Sequence, residues 1–483
     1  MPLTRTLLPL LITFICSIGL LQAQTFQVAE ISFEGNKKTK DFIVEREIVL
    51  KKDSAYSAEV FSNYLWRSKE NLMNTTLFVD VLFDTTLVAD GHYKVHFLLK
   101  ERWYIFPTPY FTVADRNWNV WINEHNASLS RTNVGVKLRH ENVTGRNDKF
   151  NLWLIGGYTR QVSFNYLRPF VDKRLRFGYK VSFKHIASNE INFATDANKQ
   201  LFYSANHKSR ELYSADAALT YNKNSRLRMQ LYGRYNFEKI ADTIAKLNPG
   251  YFGNATTKAT YLDFIWSTQY YKVDYIPYPL RGWFLTTQLQ QRLSENSSLN
   301  MTKIQAELFA VKQIGKNNYL DLYIYGVHKF QNNLPFANAQ LFGYTNKYIQ
   351  GLEYFVLDGN SGFLSRLTFK KNIFNWYIKS LFKDKKKENP GGLRKTFNEL
   401  SKTHNDIPFR VFLKVYGNVG YIDSRYSNNN YLSNQWLRTA GIGIDILTAY
   451  DFVFRFDLSF NQFERGGISN LPNKFFYHIN ENY

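Results

Sequence analysis

The stretch DFVFRFDLSF, residues 451–460, constrains the fold of this chain more than any other feature. Read with the two-residue period of a β-strand, Phe452, Phe454, Phe456, Leu458 and Phe460 share one face, while Val453, Arg455, Asp457 and Ser459 share the other. The alternation recurs in YLDFIWS, where Leu262, Phe264 and Trp266 oppose Tyr261, Asp263 and Ile265. It recurs again in KIQAELFAV, where Ile304, Ala306 and Leu308 oppose Gln305 and Glu307. Each strand therefore has an apolar face and a face whose charges need water. A soluble sandwich satisfies such strands by bringing the apolar faces together. A membrane barrel satisfies them by turning the apolar faces to lipid and the polar faces to a wet lumen, and it must close because lipid cannot hydrogen-bond a free strand edge.

Length favours the barrel. From Arg102 to the end the chain holds enough residues for about 16 strands of about 10 residues each, with turns and loops. Aromatic residues make up 17% of the chain although the mean hydropathy is only −0.37, as expected of strands with one apolar and one polar face. After Gln24 there is no run of about 18 apolar residues that would cross a membrane as a helix. Before it, MPLTRTLLPLLITFICSIGLLQAQ places Arg5 ahead of an apolar run and ends in small or polar residues. Residues 1–24 read as a secretory signal peptide cleaved after Ala23, rather than as a retained anchor. The single cysteine, Cys16, lies inside that segment, so the mature chain is expected to hold no disulfide, thiol nucleophile or cysteine-based metal site.

Residues 25–103 differ in kind. FQVAEISFEGNKKTK reads as a strand ending at a Gly35-Asn36 turn, and DFIVEREIVL then has helical character. A second helix follows in SAEVFSNYLWRSKENLMNT, where Val60, Tyr64, Leu65 and Leu72 are expected to share one face. The strands FVDVLFDTTLV and HYKVHFLLKER complete a β-α-α-β-β unit, too short for a large enzyme cleft and suited to binding.

This unit, with ISFEGNKKTKDFIVEREI, LFVDVLF and a final VHFLLKERW, resembles a POTRA domain, the periplasmic module of the BamA/TamA outer-membrane assembly superfamily. The resemblance continues in DYIPYPLRGW, where Pro279, Arg281 and Gly282 stand at the superfamily's early Pro-x-Arg-Gly strand. In TAGIGIDILTAYDFVFRFDLSFNQF, similar to its closing hairpin, Gly441 and Gly443 precede the strand. It implies one small α+β POTRA domain at 25–103 followed by a transmembrane antiparallel barrel of about 16 strands at 104–483. The segment YIQGLEYFVLDGNSG, Tyr348 to Gly362, stands where the superfamily carries a Val-Arg-Gly-Phe/Tyr loop that folds from the cell exterior into the barrel lumen. That loop spans about 341–362 here, with Ile349, Gln350, Gly351 and Leu352 at the motif; the alternative is a surface loop. The superfamily's loop arginine pairs with an aspartate in an Asp-x-Gly context on a nearby strand. In this chain Gln350 replaces the arginine, and FLKVYGNVGY aligns Val415 and Gly417 with the Asp-x-Gly pair. Both charges are therefore expected to be missing together, with the loop held by neutral hydrogen bonds and packing.

A basic insertion at about 375–406, on the periplasmic side by strand counting, reads either as an amphipathic helix with Phe374, Ile378, Leu381 and Phe382 near one face or as a solvated charged turn. The net charge of +21 and a pI near 9.6 suit anionic lipid or the acidic inner surface of the envelope. They do not suit nucleic acid, for which no module is visible. Searches for catalytic chemistry return nothing. GNSGF lacks the spacing of a nucleophile elbow, and His185, His207, His328 and His404 are scattered without metal-ligand spacing, so neither an enzyme nor a cofactor is expected.

The resemblance implies a mechanism built on strand edges. The first barrel strand, with Phe111 and Val113, would meet the last, with Phe475 and Tyr477, at a seam that opens sideways and templates an incoming strand. Unfolded outer-membrane clients, outer-membrane lipids and periplasmic or lipoprotein accessory factors are the partners implied. Three functions stay open: an assembly or insertion factor, a two-partner-type secretion pore, and a structural or receptor barrel without insertion activity.

Overall fold

The structure, a computed structural model, describes residues 25–89, 91–114, 121–122, 126–224, 226–378, 407–425, 430–448, 453–461 and 475–479. Residues 1–24, expected to be a signal peptide, most of the basic insertion and the last four residues lie outside the described residues.

The N-terminal domain contains β1 (Thr25–Glu34), α1 (Asp41–Glu47), β2 (Ala55–Ser57), α2 (Ala58–Asn74), β3 (Phe78–Ala89) and β4 (His92–Glu101). Its sheet runs β2-β1-β4-β3, with β1 parallel to β4 and the other pairs antiparallel. Ser57 starts α2 by accepting the Val60 amide at 3.4 Å. The buried stripe of α2 is Phe61, Leu65, Ser68 and Leu72, a helical progression, and it packs over Val28, Val95 and Phe97. Val60, expected on that stripe, is 36% exposed. Phe61 takes the inward place because its ring meets Phe26 at 5.4 Å and Tyr93 at 5.5 Å.

The rest of the chain is one large antiparallel sheet. Its strands begin with β5 (Ile105–Val113), β6 (Thr132–Glu141), β7 (Lys149–Gly157), β8 (Thr159–Arg168) and β9 (Phe177–Ser188). A loop hairpin, β10 (Glu190–Asp196) and β11 (Lys199–Ser204), precedes β12 (Arg210–Asn222) and β13 (Leu227–Ile240). After the short helix α3 (Asp242–Leu247) come β14 (Lys258–Val273), β15 (Gly282–Ser294), β16 (Met301–Gln313) and β17 (Asn318–Lys329). The long loop that follows holds α4 (Phe336–Ala339), β18 (Gln340–Phe342) and β19 (Leu357–Asp358). The wall then resumes with β20 (Ser361–Ile378), β21 (Ile407–Asp423), β22 (Trp436–Leu447), β23 (Val453–Asn461) and β24 (Phe475–Ile479). Without the two loop hairpins this is a 16-stranded sheet whose order follows the chain from β5 to β24, a transmembrane β-barrel preceded by one small α+β domain. Among the described residues no helix is long and apolar enough to cross a membrane.

The two faces of the wall separate as the alternation requires. Leu262, Phe264 and Trp266 of β14 are exposed on the outside, while Tyr261, Asp263 and Ile265 are buried towards the lumen. Phe454, Phe456, Leu458 and Phe460 of β23 stand opposite the buried Val453, Asp457 and Ser459. The start of the basic insertion differs from the helical expectation. Phe374 and Ile378 belong to β20, which pairs with β21 as far as Ile378↔Ile407, with a bulge between Asn372 and Phe374. The partner strand supplies ladder bonds that an isolated helical turn lacks; Leu381 and Phe382 lie outside the described residues.

The N-terminal domain sits against four turns on one side of the barrel. The Lys40 amide donates to Gly145 O at 2.9 Å, and Asn142 reaches Thr39 at 2.9 Å. Arg46 donates to Leu175 O and Asn222 O and lies 4.3 Å over the Phe170 ring. Asn74, the last residue of α2, donates to Val273 O at 3.3 Å and accepts the Ile276 amide at 3.2 Å. These contacts fix the domain beneath the lumen and carry it to the β14–β15 turn, from which one arm of the lumen site extends.

Candidate lumen site

The lumen loop enters between β17 and β20 and is buried at its tip: Ile349 is 1% exposed, Gln350 4% and Leu352 2%. Gly351 has φ +91, a left-handed conformation that L side chains resist. A Cβ there would also lie 3.2 Å from Ser459 Cβ and 3.3 Å from Thr439 Cβ. The loop tip thus needs glycine for both its backbone angle and its closeness to the wall. Ile349 fills space that exists because Gly420 has no side chain. Leu352 N bonds Ile349 O at 2.9 Å, which closes the tip into a tight turn.

Gln350 does not face Val415. Its Nε2 donates to Asp457 Oδ2 at 2.9 Å, and its backbone oxygen accepts Thr439 Oγ1 at 2.6 Å. Asn461 donates to Gly351 O at 2.9 Å. Val415 is 56% exposed and Gly417 is also exposed, both on the outer face of β21; the inward residues of that strand are Phe412, Lys414, Tyr416 and Asn418. Alternate residues of a strand face opposite sides, so Val415 cannot meet the loop; the loop carries Gln350 as expected, but the expected absence of a carboxylate is corrected here. A carboxylate is present, supplied by β23, and a cation stands beside it on the wall.

That cation is Lys414. Its Nζ lies 2.6 Å from Asp445 Oδ1 and 2.8 Å from Asp457 Oδ1, with side chains 5%, 1% and 0% exposed. Two carboxylates share one ammonium, and the remaining acceptor positions take neutral donors: Gln350 at Asp457, and the Tyr278 hydroxyl at Asp445 Oδ2 at 2.8 Å. Such satisfaction is what makes a buried ion pair tolerable. Gly443 leaves the room, since a Cβ there would fall 2.1 Å from Asp457 Oδ1 and 2.7 Å from Lys414 Cε. Gly441 does the same for Tyr416, whose hydroxyl meets Ser459 Oγ at 2.6 Å.

Tyr278 belongs to the β14–β15 turn that Asn74 holds, so a polar path runs from α2 through Tyr278, Asp445, Lys414 and Asp457 to Gln350. The turn itself is built by Asp274, whose Oδ1 accepts the amides of Tyr275, Leu280 and Arg281. Gly282 ends it at φ +100, where a Cβ would strike Lys272 O. Pro279 lies in this turn and Arg281 is exposed, its Nε donating to Gln313 at 2.9 Å. Gly35 at φ +97 ends β1, and Asn36 donates to Thr39 O at 3.1 Å and to Asp41 at 2.7 Å, ahead of α1. Lys414, Asp445 and Asp457 were not singled out as a site from the sequence; the spacing of glycines 441 and 443 opposite a lysine was the available signal.

On β5, Phe111 is 51% exposed outward and Val113 is 6% exposed. The backbones of Phe475 and Tyr477 pair with Leu458 and Phe456 of β23; among the described residues no ladder joins β24 to β5. His185 stacks on Tyr213 with ring centres 4.3 Å apart, and His328 bonds Ser361 at 2.7 Å. His404 lies outside the described residues.

Comparison with known proteins matches two families in chain order. Residues 26–102 match the POTRA family, described as a surface antigen variable number repeat, and residues 142–365 match the Omp85 superfamily domain. No curated protein matches the sequence. Among solved structures, CdiB from Escherichia coli is similar at 12% identity and a TM-score of 0.51, over 94% of this chain and 75% of that one. BamA from Haemophilus ducreyi lacking POTRA domains 1–3 aligns at 14% identity and a TM-score of 0.46, over 94% and 83%. CdiB from Acinetobacter baumannii aligns at 10% identity and a TM-score of 0.45, over 91% and 70%. With a POTRA domain docked beneath a 16-stranded barrel and both families matched in order, the chain belongs to the Omp85 superfamily.

Proposed function

We propose that the protein is an assembly factor for outer-membrane barrel proteins, working at its wall rather than through its lumen. It would stand in the outer membrane with its POTRA domain in the periplasm, and take unfolded clients from there. The observation that carries this reading is the lumen loop, which is anchored by buried hydrogen bonds to Asp457, Thr439 and Asn461. A lumen crossed by a pinned loop is a poor conduit, which leaves the wall as the working surface. Among the described residues β24 pairs with β23 over Phe454–Leu458, and β24 and β5 stand at the two ends of the sheet with no ladder between them. Two sheet ends that meet without a shared ladder suit a seam between β24 and β5 that parts and offers unpaired backbone groups to a client strand. No catalytic side chain enters this mechanism, and lipid and accessory proteins contribute only as surroundings and delivery.

A secretion pore is the second reading, favoured by the cavity of about 810 Å³ that lies in the lumen below the loop. Depletion followed by a quantitative inventory of outer-membrane and secreted proteins tests the proposal. Loss of many barrel proteins is expected; loss of one secreted protein with the barrels intact would overturn it in favour of the pore.

A further inference from the structure

The cavity between the POTRA domain and the lumen loop is inside the usual size range of ligand sites, and its charges do not balance. Eight basic side chains line it against four carboxylates. All four carboxylates are engaged: Glu47 by Arg46, Glu307 by Lys347 at 2.8 Å, Asp321 by Lys370 at 2.9 Å, and Asp445 by Lys414 at 2.6 Å. Lys149 pairs with Glu141 at 3.0 Å. Three half-buried guanidiniums are left over, Arg228 of β13, Arg366 of β20 and Arg455 of β23, and none of them forms an ion pair among the described residues. Two are held by ring faces instead: Arg228 lies 5.6 Å from the Tyr271 centroid and Arg366 lies 5.1 Å from that of Tyr323. A ring face restrains a guanidinium while leaving its edge donors free for an oxyanion.

We propose that this cavity is an anion site that receives a carboxylate-rich segment of an extended polypeptide. Arginines from three separate parts of the wall face one volume, and guanidinium matches carboxylate geometry through paired N–H donors. The alternative anion source, a lipid headgroup, has no route for its acyl chains. β13 is paired on both sides by β12 and β14, and β20 through β23 form continuous ladders. The floor of the cavity is POTRA helix and polar turn, including Asn71, Asn74 and Asn224, where a polypeptide can be solvated and a lipid tail cannot. The inference goes beyond the assembly reading, since an acidic segment would be held in the same place by an insertion factor or by a pore.

The test uses the full chain in neutral detergent and a fluorescein-labelled peptide of six glutamates flanked by glycine and serine, read by anisotropy. Binding is expected, with a six-lysine peptide showing none. Replacing the three arginines together (Arg228→Gln, Arg366→Gln and Arg455→Gln) should weaken binding at least about tenfold, the loss of one or two charge-assisted hydrogen bonds. Because the chain carries a net charge of +21, a matched control replaces the exposed Lys37, Lys51 and Lys52 by glutamine, which removes the same charge and should leave affinity unchanged. Heat-modifiable gel mobility confirms that each variant is a folded barrel. Should the triple variant fail to fold, the single Arg228→Gln variant carries the test and should weaken binding measurably. Equal binding of the lysine peptide, equal loss in the matched control, or unchanged affinity in the folded arginine variants would overturn the site. Displacement by stoichiometric phosphatidylglycerol would reassign it to a lipid headgroup, and displacement by inorganic phosphate at matched concentration would reduce it to a site for any small anion.

Discussion

The Lys414–Asp445–Asp457 triad makes a quantitative prediction about where the lumen cation belongs. Lys414→Met removes the ammonium shared by two buried carboxylates and leaves them facing one another. Breaking a buried ion pair by deleting one member costs roughly 3–5 kcal/mol, and with side chains 5%, 1% and 0% exposed the upper part of that range applies. Gln350→Arg alone brings a second cation to Asp457, where Lys414 already stands at 2.8 Å, and should also destabilise the barrel. The two together move the positive charge from the wall to the loop. Because Gln350 Nε2 is already 2.9 Å from Asp457, an arginine can take over that carboxylate, and the double variant should be better than the sum of the singles by about 1–3 kcal/mol. The measurement is urea unfolding of the purified barrel in micelles, followed by tryptophan fluorescence. Effects that add to within about 0.5 kcal/mol would show that loop and wall are not coupled through this triad. Val415→Asp is the control: its side chain points to lipid, so it should show no favourable coupling with Gln350→Arg.

Gly351→Val should destabilise the loop by about 1–3 kcal/mol, since φ is +91 and the wall atoms Ser459 Cβ and Thr439 Cβ leave no room; faster proteolysis within 341–362 would report it. The POTRA–barrel contact should depend on pH. Burial, followed by the neighbouring Asp274 carboxylate, raises Glu70 above the usual carboxylate range against the pull of Arg226, Arg67 and Arg281, and burial raises Asp274 too. A carboxylate that binds its proton more tightly when folded loses its contribution as pH rises from the unfolded value of about 4.3 through the raised one. Glu70→Gln should therefore flatten the pH dependence and strengthen docking at neutral pH, read from protease nicking at the 273–281 turn; an unchanged pH profile would refute it. At the seam, cysteines at Phe111 and Tyr477 should crosslink under oxidation, without interference because the chain's single cysteine is Cys16. Crosslinking that leaves client assembly normal in a depleted background would eliminate lateral opening.

What could be read from the sequence divides along a physical line. A barrel wall separates lipid from water at every strand, so a period of two shows in any ten residues, and β14 and β23 present the faces their alternation demands. The POTRA domain is nearly as legible, because its hydrophobic core draws on a compact run of chain; it departs from the expected β-α-α-β-β order at β2, three residues too short to show a period and formed by pairing with β1, and at Phe61, which takes Val60's inward place because the rings of Phe26 and Tyr93 decide that face. The lumen site is different in kind. Its charges sit one per strand on β21, β22 and β23, and they meet only because those strands are neighbours in register, Lys414 opposite Gly443 and Gly443 opposite Asp457. No local pattern encodes that meeting, and a reading confined to β21 takes Val415, on the lipid face, as the loop's partner when the carboxylate that meets Gln350 is Asp457 of β23. The error is informative about the site itself. A Gln350 tip considered alone suggests that a loop has lost its ionic anchor. The three strands together show the wall holding both signs of charge, with the loop contributing only a neutral donor. A loop bound this way gives up less when it leaves than one carrying its own arginine, since no cation departs with it and the two carboxylates keep Lys414.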